Sequence, residues 1–188
     1  MKWTTTRAMC LAGLLLASGP GWAQKLQPEH SEITFSIRQF GVPVEGRFTR
    51  FGGQLAFDPQ KPEAARVTLH IDTASARFGA PETDAEVSKP EWLNAPKFPQ
   101  ATLDSTLIKA IEPGKYAFAG KLTIKGATRD ILVPLNLTRS GKLTLAAGAL
   151  TLKRLDFKIG EGDWSDTSLV ANEVQVRFKL ALADMAPF

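Results

Sequence analysis

Two histidines, a short acidic cluster, one charged pair and a single cysteine are the side chains whose chemistry would be conspicuous here, and their spacing argues against each reaction in turn. His30 stands ahead of a strand-like run and His70 on the outward side of another, so neither is set beside a nucleophile or an orienting acid. No Gly-x-Ser-x-Gly elbow is present. Glu161, Asp163 and Asp166 offer carboxylates to a cation, yet their spacing is not that of an EF-hand loop, and a solvated acidic loop without metal is the expectation. Arg154 and Asp156 read as an ordinary ion pair on one strand face. Cys10 is the only cysteine and falls in the leader described next, so the rest of the chain has no disulfide, thiol nucleophile or thiolate metal site. No catalytic residue, no metal and no cofactor are expected. The chain reads as a non-enzyme.

Lys2 and Arg7 make a positive start, Ala8 to Ala17 form a short apolar run, Gly19-Pro20 breaks it, and Gly21-Trp22-Ala23 offers the small residues that a signal peptidase reads. Residues 1–23 are therefore predicted to be a cleaved signal peptide, with the mature chain, residues 24–188, starting at Gln24 and working in the periplasm. The apolar run is too short to span a bilayer. Cys10 lies ahead of its most apolar part, the wrong place for a lipid anchor. Two cations of the formal +4 charge leave with this segment, and the remaining Lys and Arg are scattered singly. No basic stripe exists to hold nucleic acid or an anionic membrane. The length that remains suits one domain with a sizeable core.

The elements that must position any site are strands, because apolar residues recur at every second position. Ile33, Phe35 and Ile37 share one face of Glu32 to Gln39; Val44, Gly46 and Phe48 continue the pattern, as do Leu55 and Phe57. Val67, Leu69 and Ile71 alternate with Arg66, Thr68, His70 and Asp72. Tyr116, Phe118, Gly120, Leu122 and Ile124 form another face, and Val174, Val176, Phe178, Leu180 and Leu182 the last. Less regular strands fit at Ala101 to Ile111, Thr128 to Leu137 and Lys142 to Phe157. Gly52-Gly53, Pro113-Gly114 and Ser140-Gly141 are hairpin signals, so consecutive strands should be antiparallel neighbours. Between Gly79 and Pro99 four prolines forbid a long element, leaving short helical turns at Thr83 to Ser88 and Pro90 to Asn94, with Pro90 at a first helical position. The fold class is all-β. A sandwich filled by its own side chains and a barrel with room inside fit the alternation equally well.

Six pieces in register resemble the YceI-like family of exported polyisoprenoid-binding proteins. They are Ser31-Glu32-Ile33-Thr34-Phe35; Gly46-Arg47-Phe48 with Phe51-Gly52-Gly53 and Phe57-Asp58-Pro59; Phe98-Pro99-Gln100-Ala101-Thr102-Leu103 with Ser105; Gly120 through Arg129; Arg154-Leu155-Asp156-Phe157; and Ile159 through Trp164 with Asn172-Glu173-Val174. The insert departs from the family pattern at Glu91-Trp92-Leu93-Asn94, where Trp and Asn stand for Phe and Asp.

This resemblance implies an antiparallel, lipocalin-like β-barrel of eight or so strands with a short helical insert at about residues 80–97 covering one end. It further implies an apolar tunnel, about 25 Å tall for strands of ordinary length and tilt, that sequesters or carries the chain of a polyisoprenoid or an isoprenoid quinone. The inward faces then supply the lining: Phe35, Ile37, Phe48, Phe57, Leu69, Leu103, Phe118, Leu122, Val176 and Phe178. Trp92, Phe98 and Trp164 are expected at the mouth. Relatives with a similar Gly-x-Gly-x-Trp segment add an inner-membrane b-type cytochrome as a partner, and a homodimer is the assembly entertained. Burying a dozen prenyl carbons contributes roughly 10 kcal/mol before ordering costs, with no polar contact needed. The rival reading is an envelope stress or adhesion scaffold whose barrel is filled by side chains and holds no ligand.

Overall fold

The computed structural model describes residues 23–188, so the signal peptide expected over the first 23 residues lies outside it except for Ala23. In chain order the elements are β1 (Ala23–Leu26), β2 (Glu32–Gln39), β3 (Val42–Phe48), β4 (Phe51–Ala56), β5 (Arg66–Asp72), β6 (Ala76–Arg77), α1 (Pro81–Val87), β7 (Gln100–Glu112), β8 (Lys115–Ile124), β9 (Ala127–Ser140), β10 (Leu143–Lys153) and β11 (Val170–Ala183). Among the described residues no helix is long and apolar enough to cross a membrane.

Three interruptions conceal a simple plan. β1 and β2 both lie against β11, and on their other side against β4 and β3 respectively. β5 and β6 lie in the same way against β4 and β3. Hence β1–β2, β3–β4 and β5–β6 are each one bent run, and the sheet is an eight-stranded antiparallel barrel closed by the first run against β11. Hydroxyl side chains hold the bends where the ladder fails. Ser31 donates to the Gln27 carbonyl (2.6 Å) and accepts from the Ala181 N–H (2.8 Å). Buried Ser75 accepts from the Arg50 N–H (3.1 Å) and donates to the Asp72 carbonyl (2.7 Å).

The strands with clean alternation stand where the period places them, and tight turns at Pro113-Gly114 and after Ser140 join β7 to β8 and β9 to β10. Four details differ. Gly52-Gly53 is no hairpin; it lies within β4, opposite His70 and Leu69, and a Cβ on Gly53 would sit 2.5 Å from the Thr68 carbonyl oxygen. The turn is instead at Phe40-Gly41, with φ of 50° and 79°. Pro81 starts the one α-helix among the described residues, whereas Pro90 to Asn94 form turns. β10 ends at Lys153, and Arg154–Phe157 curl into a 3-10 turn. The short β1 and β6 carry too few residues to show a period.

Candidate binding tunnel

Side chains that point into a filled barrel lose their accessible surface, and here many do not. At the end away from the helix, Phe57 meets Tyr116 edge-on at 5.2 Å, and Leu26, Leu137, Leu182 and Met185 are buried around them. Burial raises the Tyr116 hydroxyl above its ordinary pKa of 10.0. This end is closed. Through the middle and toward the helical insert, Phe35, Ile37, Phe48, Leu69, Leu103, Val176 and Phe178 face inward yet stay half-buried. The area they retain faces a cavity of about 270 Å³. A barrel filled by its own side chains lacks such a space.

Close approach of rings to glycines keeps that space open. Phe178 lies opposite Gly148 of β10, and a Cβ there would stand 2.5 Å from the ring. Phe35 lies over Gly46 of β3 in the same manner and packs at 5.1 Å on Phe48 and 5.2 Å on Phe78. With no methyl beneath them, the rings lie along the wall and not across the lumen.

All ten side chains predicted for the lining stand in the cavity wall: Phe35, Ile37, Phe48, Phe57, Leu69, Leu103, Phe118, Leu122, Val176 and Phe178. Sequence reasoning passed over Ile131, Val133, Leu135, Leu150 and Leu152, which share that wall. Their signal was available, since Ile131, Val133, Leu135 and Leu137 alternate as regularly as any strand. Of the mouth residues, Trp92 belongs to the wall, whereas Phe98 and Trp164 do not. Phe98 packs over Gly126 with the Lys97 ammonium 5.5 Å from its ring. Trp164 packs against Trp92 at 5.4 Å, a layer behind it.

The residues singled out for chemistry are dispersed. His30 and His70 are exposed on the outside. Among the described residues no group of three His, Cys, Asp or Glu is placed to hold a metal ion. Asp166 accepts from the Ser168 N–H (2.8 Å) and hydroxyl (2.7 Å), which holds its carboxyl below the ordinary range. Arg154 does not pair with exposed Asp156. Only 1% exposed, it instead donates to five backbone carbonyls: Ala171 (3.0 Å), Ile159 (2.9 Å), Gly160 (3.0 Å), Trp164 (2.6 Å) and Val170 (2.8 Å). Burial pushes its guanidinium pKa down. Gly160, at φ 75°, is pressed so closely on the guanidinium that no side chain fits. Arg154 thus gathers the chain from Ile159 to Ala171 around one cation at the insert end of the cavity, whose wall it also joins.

Buried Lys125 pins the same loop, donating to the Lys158 carbonyl (2.7 Å) and to Glu161 Oε2 (2.9 Å). That hydrogen bond holds the Glu161 carboxyl below its ordinary 4.5. A depressed carboxyl stabilises the fold above its unfolded pKa and loses the contribution as pH falls through the folded value. Wild type should therefore exceed Glu161→Gln in thermal midpoint at neutral pH, with the gap closing below pH 4.5. Glu161 is half exposed, so the gap will be small. A gap that stayed constant down to full protonation would rule the ion pair out as its source.

Comparison with known proteins matches this geometry to a family. The family model described as YceI-like domain covers residues 24–182. A UPF0312 protein of Shewanella baltica is 31% identical over 146 residues, 76% of this chain and 76% of that one. The crystal structure of Burkholderia cenocepacia BcnA superposes with a TM-score of 0.80 at 36% identity, covering 84% of this chain and 99% of that one. A polyisoprenoid-binding domain from Saccharophagus degradans, implicated in plant cell wall breakdown, shares the fold with a TM-score of 0.71 at 17% identity, covering 87% and 99%.

Proposed function

The chain belongs to the YceI-like domain family, and from that premise we propose that it sequesters or carries the long apolar chain of an isoprenoid, a polyprenyl lipid or a quinone, inside its barrel and performs no reaction on it. One observation carries the reading: inward-facing aromatic and aliphatic side chains surround a cavity closed at one end and keep surface turned toward it. Such a space is unfavourable for water, which needs two to four polar partners, and favourable for hydrocarbon. The likeness in fold to a polyisoprenoid-binding domain supports the choice of ligand class. The scaffold reading has no use for the hollow. Export to the periplasm behind a cleaved leader is part of the proposal and rests on the pattern of the first 23 residues. A b-type cytochrome partner rests on family likeness, and a homodimer is the assembly proposed beside it.

Mass spectrometry of an organic extract, taken from protein purified out of its native envelope, tests this. A prenyl lipid in stoichiometric amount is expected. An extract without one, together with failure of the stripped protein to take up a prenyl chain, would return the chain to the scaffold class.

A further inference from the structure

The hairpin between β2 and β3 turns on an unsuitable residue. The strands pair as far as Gln39 and Val42, which leaves Phe40-Gly41 as a two-residue loop with both φ positive, 50° and 79°. Asn-Gly is the sequence such a turn prefers, and a bulky side chain at positive φ is uncommon and strained. Packing gives no compensation, because Phe40 is 66% exposed and Val42 beside it 62%. Strain kept where neither the turn nor the core requires it points to a use outside the fold.

The tip stands beyond the insert end of the tunnel. Leu152, Val174 and Ile37 form one rung across β10, β11 and β2, and all three are in the cavity wall next to Arg154. Phe40 lies three residues past that rung, about 10 Å along the strand. Its N–H donates to the Leu169 carbonyl (2.8 Å), in the loop that Arg154 gathers, and Arg38 donates to the Gly41 carbonyl (3.0 Å). The turn is thus tied on both sides with its apolar side chains outward. No charged side chain lies between Arg38 and Glu45.

We infer that the Phe40-Gly41-Val42 tip dips into the surface of a lipid bilayer and holds the insert end of the tunnel against it, so that a prenyl chain passes between membrane and barrel without crossing water. This rests on the tunnel reading above. Size and charge select the partner. Phe40 and Val42 expose on the order of 200 Å² together, far below the roughly 800 Å² that each side of a stable protein interface covers. A fluid bilayer receives a small apolar tip without a matching surface, and a ring suits the boundary between head groups and acyl chains. With one cation at the tip, anionic lipid is not required.

The test uses delipidated protein and phosphatidylcholine vesicles that carry a C20 prenyl hydrocarbon. Wild type should float with the vesicles and take up the chain. Phe40→Asn should bind them about tenfold more weakly and take up the chain about tenfold more slowly, although its Asn-Gly turn keeps the thermal midpoint at or above that of wild type. Leu132→Thr removes a leucine that is 71% exposed on the flank of the barrel, opposite Ala119, and should change neither. When the chain is added from ethanol without vesicles, all three proteins should bind it alike. A Phe40→Asn protein that equals wild type on vesicles would overturn the docking and leave the tunnel intact. So would a loss shared by Leu132→Thr, or one that persists without vesicles. A dimer that Phe40→Asn dissociates would make the tip a contact between copies and overturn the docking too. If wild type takes up the chain by neither route, the tunnel reading fails and this one with it.

Discussion

Arg154→Met should lower the thermal midpoint by about 6–20 °C. Methionine fills the stem's volume and supplies no donor, so five carbonyls now bonded to the guanidinium would be stranded. Breaking one buried charged network typically costs about 3–5 kcal/mol, and at this chain length each kcal/mol moves the midpoint by about 2–4 °C. Arg154→Lys should recover only part of the loss, since an ammonium has three donors and lacks the planar fork. Thermal and urea melts on both variants measure this. A loss under about 1 kcal/mol for the methionine variant would mean that water takes over those carbonyls and that the loop does not depend on the cation.

Leu150→Trp should abolish ligand binding while leaving the empty protein folded. Leu150 stands in the hollow part of the wall, half-buried and opposite Val176, so an indole there projects into space that nothing else occupies. A ligand present at a thousand times its Kd stabilises the native state by about 4.1 kcal/mol, equivalent to about 8–16 °C here. Wild type mixed with a prenyl ligand should show that rise, and Leu150→Trp should show none. Ligand-induced stabilisation that survived the substitution would place the binding site outside the barrel.

Which features were legible depended on how local their cause is. The wall was readable because Phe35, Leu69, Phe118 and Val176 each sit in a strand of clean alternation, and period two fixes which way a side chain points. The hollow was not readable. Alternation reports that Phe178 faces inward, but only the register, which sets Gly148 beneath its ring, reports that the ring leaves the centre free. Gly52-Gly53 misled for a related reason. Paired glycines usually signal a reversal, whereas here close approach of the neighbouring strand and His70 requires them in mid-strand. Arg154 was misjudged because its five partners lie 5 to 17 residues away along a loop, with no periodicity to announce them. The helical insert was placed to within a few residues by its prolines, while the separation of Phe98 and Trp164 from the wall depended on packing between segments far apart in sequence.

The floor made by Phe57, Tyr116, Leu182 and Met185 has a consequence for selectivity. A vessel open at both ends would let a chain slide through and would grade ligands by greasiness alone. One with a stopper at the bottom measures them. A tail that is too short leaves vacuum above the stopper, and one that is too long pushes its head clear of the rim. Only a narrow span of lengths brings both extremities to rest at once, so affinity plotted against the number of isoprene units should rise to a peak and fall, with no plateau.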